Sequence, residues 1–64
     1  MLTLREMIKY MEMENIRVSY YGDVDRSLYR GEADERFIPA NLLDKHVTHI
    51  EWDWDEQICI LITD

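Results

Sequence analysis

The residues of this chain best suited to chemistry are two aspartate pairs, Asp23 with Asp25 and Asp53 with Asp55, and a trio of softer ligands, His46, His49 and Cys59. The aspartates supply the hard oxygen donors that calcium takes. A calcium loop also needs further oxygen ligands, a central glycine and a terminal glutamate at set positions, and neither pair has that pattern. The trio offers the nitrogen and sulfur donors of a zinc site, but its spacing matches no zinc signature and no fourth ligand stands with it. A catalytic base at His46 or His49 would lack a partnered nucleophile, and there is no glycine-rich phosphate loop. The expectation is a non-enzymatic protein with no metal and no cofactor.

Charge is the more informative feature. The 64 residues carry a formal charge of −7, yet past Lys45 there is no Lys or Arg, while Glu51, Asp53, Asp55, Glu56 and Asp64 give that stretch −5. The first 45 residues are close to balance, with nine acids against seven bases. A concentrated field steers or repels partners, where a scattered one only aids solubility. On a strand, Glu51, Asp53 and Asp55 stand roughly 6.6–6.8 Å apart along one face, with Trp52 and Trp54 expected to anchor the other face in the core. Such a row suits a basic protein surface, including a groove built for nucleic-acid phosphates. The same acids on an edge strand would also keep sheets from pairing with one another, with no partner involved. Glu51, Asp53, Asp55 and Glu56 are the expected partner-binding face. The overall charge disfavours direct polynucleotide binding.

A second constellation is aromatic and basic. Arg17, Tyr21, Tyr29 and Arg30 could stack a base or grip a phosphate, making the chain a module that sequesters a small nucleotide or signalling molecule. Cross-strand pairs that only stabilise a sheet would use the same residues.

These side chains need elements to hold them. Thr3 and Glu6 form a capping box, Leu2 and Met7 stand at the positions of a hydrophobic staple, and Leu4, Met7, Ile8 and Met11 recur at helical spacing, which predicts a helix ending near Met13 to Asn15. Ile16 to Tyr21 alternates as a half-buried strand, and a turn over Gly22 to Asp25 leads to a second strand around Ser27 to Ala33, where Gly31 permits a bulge. Ala33 to Arg36 reads as a charged loop, and Pro39 suits the first turn of a short helix through about Lys45, with Leu42 and Leu43 inward. Val47 to Asp53 alternates again, with Thr48, Ile50 and Trp52 on one face and His49, Glu51 and Asp53 on the other. Ile58 to Thr63 is apolar on both faces, so it must be central or covered by a second subunit. The order α-β-β-α-β-β predicts a single α+β domain over residues 1–64, a four-stranded antiparallel sheet with two helices on one face.

A chain of this length buries only about 60% of its unfolded surface, and a stability of roughly 3–5 kcal/mol is expected. Cys59 has no cysteine to pair with. Self-association is then the remaining common stabiliser, and the expectation is a homodimer meeting at Cys59 and Leu61. Residues 1–6 lack a signal peptide's apolar core and no apolar run is long enough to span a membrane, which points to the cytoplasm.

With Leu4-Arg5-Glu6-Met7 opening a helix, Ile16-Arg17-Val18 and Leu28-Tyr29-Arg30-Gly31-Glu32 as strands, and Ile38-Pro39 before Leu42-Leu43 and a closing hairpin, the layout resembles small acidic accessory proteins of bacteriophages and other mobile elements. The resemblance implies a counter-defence inhibitor that binds and blocks a host protein, here one with a basic surface. A virion structural or assembly protein is a further reading, and it predicts oligomers higher than a dimer.

Overall fold

A computed structural model describes residues 1–10, 14–52 and 57–63 of the chain. Six elements follow in order: α1 (Leu4–Tyr10), β1 (Asn15–Tyr20), β2 (Tyr29–Glu32), α2 (Ala40–Leu43), β3 (Val47–Trp52) and β4 (Ile58–Ile62). Two helices and one four-stranded sheet make an α+β fold, as expected. The entry to α1 is the capping box read from the sequence. Glu6 N–H donates to Thr3 Oγ1 at 3.2 Å, and Thr3 N–H and its hydroxyl donate to Glu6 Oε1 at 3.1 and 3.0 Å. Leu4 and Met7 are buried below it, and the predicted Met11 turn lies outside the described residues.

The sheet runs β2-β1-β4-β3. The two hairpin pairs, β1 with β2 and β3 with β4, are antiparallel, but the central pair β1 and β4 is parallel. This corrects the all-antiparallel expectation, and burial explains it. With β2 and β3 both running opposite to β1, an all-antiparallel sheet needs β3 beside β1 or β4 beside β2. Either choice leaves β4 or β1 at an edge. Both strands are buried on both faces: Ile16, Val18, Ile60 and Ile62 on one, Arg17, Ser19, Cys59 and Leu61 on the other. They therefore take the centre together, and the two αββ halves are not related by symmetry.

Leu4 and Met7 of α1, Leu42 and Leu43 of α2, and the preceding Ile38 join Ile16, Val18, Val47, Ile60 and Ile62 in one core. Both helices thus cover one face. Leu28 and Tyr29, adjacent in sequence, also pack on this core because Leu28 precedes β2 rather than belonging to it. Gly31 makes no bulge, since β1 and β2 pair in unbroken register. Its role is to give room. At φ +156° a Cβ there would stand 3.0 Å from the Tyr29 hydroxyl oxygen, whose proton is donated to the Glu32 carbonyl at 2.8 Å. A bulge does occur between Val47 and His49, and it puts Val47 and Ile50, three residues apart, on the same face.

The cap generates the first prediction. Thr3→Ala removes the acceptor for the Glu6 amide and should lower stability by about 0.5–2 kcal/mol in a urea titration. The hydrogen bonds from the Thr3 backbone and hydroxyl favour the ionised Glu6 carboxylate and hold its pKa below the ordinary 4.5. A depressed folded pKa gives stability that is complete above the unfolded value and is lost as pH falls through the folded one. Glu6→Gln should therefore destabilise at neutral pH, and its difference from the parent should shrink as pH drops below 4.5.

Candidate functional site

The face opposite the helices gathers Arg17, Tyr21, Arg30, His49, Glu51 and Cys59 of the residues singled out in the sequence. Register sets one row across the four strands, Arg30, Arg17, Cys59 and Glu51, and a second with Ser19, Leu61 and His49. Arg17 is only 5% exposed. Its Nη1 donates to the Val24 carbonyl at 2.7 Å and to Ser19 Oγ at 3.0 Å, so the turn after β1 folds back over the sheet. Tyr21 stacks on His49 with ring centroids 4.8 Å apart and planes 15° from parallel.

This geometry divides the predicted nucleotide-binding group. Arg17, Arg30 and Tyr21 share the face, but Arg17 is buried and already donates to Ser19 and Val24. Tyr29 pairs with Val18 and so projects to the helix side. The four do not converge on one pocket. The predicted dimer residues are corrected as well. Cys59 and Leu61 are each 1% exposed within a single chain, so the two-sided apolarity of β4 is accounted for by its central place in the sheet and needs no second subunit.

Of the predicted acidic face, Glu51 is exposed on β3, across the ladder from Cys59. Asp53, Asp55 and Glu56 lie outside the described residues, as does Trp54. Trp52 overturns its expected role as a core anchor, being 72% exposed, and Ile50 is 44% exposed. Helix length is the physical reason. Seven and four residues span about 10 and 6 Å, against a strand of six residues about 20 Å long. Among the described residues, those of the helices share a core with Val47 at the start of β3 but leave Ile50 and Trp52 exposed. An exposed tryptophan beside a carboxylate on an edge strand is the site that sequence reasoning missed. The signal was present in the small apolar supply of the helices, whose described residues offer Leu4, Met7, Ile8, Leu42 and Leu43 to cover four strands.

Among the described residues no three His, Cys, Asp or Glu side chains come together as a metal site, and no helix is long and apolar enough to cross a membrane. Two open depressions, of about 400 and 290 Å3, meet at Ala33 and Asp34. Asp34 is gripped there by Arg36, whose Nε and Nη2 donate to both carboxylate oxygens at 2.7–3.1 Å. Those hydrogen bonds hold the Asp34 pKa below its ordinary value.

Neither a family model, nor a curated protein, nor a solved structure matches the chain.

The central place of Leu61 sets the second prediction. Leu61→Ala should cost about 2–5 kcal/mol, close to the whole stability expected of a domain this small. In chemical denaturation the loss should not depend on protein concentration. A parent midpoint that rises with concentration would restore the dimer.

Proposed function

We propose that this chain is a small acidic, non-enzymatic docking protein that binds the basic surface of another protein through β3 and the acidic segment after it. The observation that carries this reading is the 72% exposure of Trp52 on a strand that also presents Glu51. Tryptophan is enriched among the few residues that dominate protein interfaces, because it fills a pocket at little cost in side-chain freedom. Stranding it in water costs stability that a docking surface recovers on binding. The −5 charge past Lys45 supplies the long-range part. It raises the association rate onto a basic surface and selects against acidic ones, over a range set by a Debye length of about 8 Å in physiological salt. The resemblance to small acidic accessory proteins of phages narrows the reading to inhibition of a host defence or nucleic-acid-binding protein in the cytoplasm.

The test compares the parent with Glu51→Lys and Trp52→Ala as baits for host proteins at low and high salt. Both side chains are exposed, so both variants should keep the parent's circular dichroism. A protein held by the parent should bind Trp52→Ala about tenfold or more weakly, and Glu51→Lys more weakly with a flatter salt dependence. A partner that binds all three alike, at either salt, contradicts the reading.

A further inference from the structure

Strand order makes β3 an edge of the sheet. The start of its outer side is occupied by the chain itself, since Val47 N–H donates to the Leu2 carbonyl at 2.8 Å and Thr3 bridges His46. From Thr48 to Trp52 no strand pairs with that side among the described residues. Soluble proteins commonly blunt such an edge by keeping it short, by charged side chains or a proline on it, or by a bulge. The other edge, β2, has four residues and carries Arg30. β3 has its bulge only at its beginning, and Thr48 to Trp52 contains no Lys, Arg or Pro; its one formal charge, Glu51, deters an acidic strand and not a basic one. The pleat there sets His49 and Glu51 on one side and the exposed Ile50 and Trp52 on the other.

We propose that the outer edge of β3, from Thr48 to Trp52, accepts an extended basic segment of a partner protein as a fifth strand. Backbone hydrogen bonds would give such a complex its affinity, and the alternating side chains its selectivity. Because neighbouring side chains on one face of a sheet meet, the added strand carries Lys or Arg beside Glu51 and apolar side chains beside Ile50 and Trp52. Five residues of edge, about 17 Å, match a segment of about five residues. Charge decides between this occupant and a second copy of the chain. A second copy would bring another −5 against the −5 already there, whereas a basic segment neutralises it. The inference rests on the docking reading above and specifies its binding mode.

A capped peptide alternating Lys with Ile or Val is the probe, together with two forms N-methylated on one or the other alternate set of residues. All three have the same side chains and charge. The alternating peptide should bind, and amides along Thr48–Trp52 that exchange rapidly in the free protein should become protected in the complex. At least one methylated form should bind about tenfold or more weakly, because a strand offers only one row of its amides to an edge. Binding with no added protection, and with all three peptides equal, overturns strand addition and leaves charge-steered docking standing. Failure of the unmethylated peptide to bind overturns strand addition too, while docking is judged separately by the Glu51 and Trp52 variants. Protection of Thr48–Trp52 in the free protein, with a sedimenting mass of two chains, assigns the edge to a second copy and overturns the proposal.

Discussion

The pairing of β1 with β4 at the centre of the sheet is the constraint on which the rest of the structure depends. A chain of 64 residues has few apolar side chains to spend, and ten of them, from both helices, the loop between and three strands, close into one core. Placing the two strands that are buried on both faces side by side hides Ile16, Val18, Ile60 and Ile62 under the helices with Cys59 and Leu61 behind them. The parallel direction of this pair is a consequence of that placement. So is the position of β2 and β3 at the two edges.

From the same constraint comes the open surface. Once the helices have covered the centre, nothing of comparable size among the described residues covers the far half of β3. Two short helices cannot shield four strands, and the uncovered part is where Ile50 and Trp52 stand. A tryptophan left in water on an edge strand, within the most acidic stretch of the chain, is an unusual use of apolar surface in a domain with so little of it. Binding explains that use more economically than folding does.

Local features were legible in the sequence, and long-range ones were not. The Thr3–Glu6 box, the inward Leu42 and Leu43, and the two-sided character of Ile58–Ile62 all appear where residue type and spacing put them, because capping, helical period and strand alternation are properties of a few neighbouring residues. Strand order depends on which hairpins meet, and no local period records it. The bulge at Val47/His49 interrupts the alternation at the start of β3, which holds as expected from His49 to Trp52. Arginine is seldom buried, yet the carbonyl of Val24 and the hydroxyl of Ser19 accept from Arg17 inside the fold, through a turn that strand alternation does not reveal. Tyr29 and Arg30 are neighbours on a strand and so take opposite faces, and only the register with β1 shows that Arg30 is the one on the open face. Strand alternation places Trp52 on the helix-side face, but whether a helix lies over it is a tertiary matter that no local pattern records.

β4 lies at the sheet centre and β3 at its edge, open from Thr48 to Trp52 among the described residues. Amide hydrogen exchange of the free protein, resolved residue by residue by NMR, tests both at once. Amides of β1 and β4 that pair across the centre should exchange only through global unfolding and be the slowest in the chain. Along Thr48–Trp52, alternate amides, those turned outward, should exchange orders of magnitude faster. Uniform slow exchange along β3, or fast exchange of Cys59, Ile60 and Leu61, would contradict the sheet order and with it the open edge.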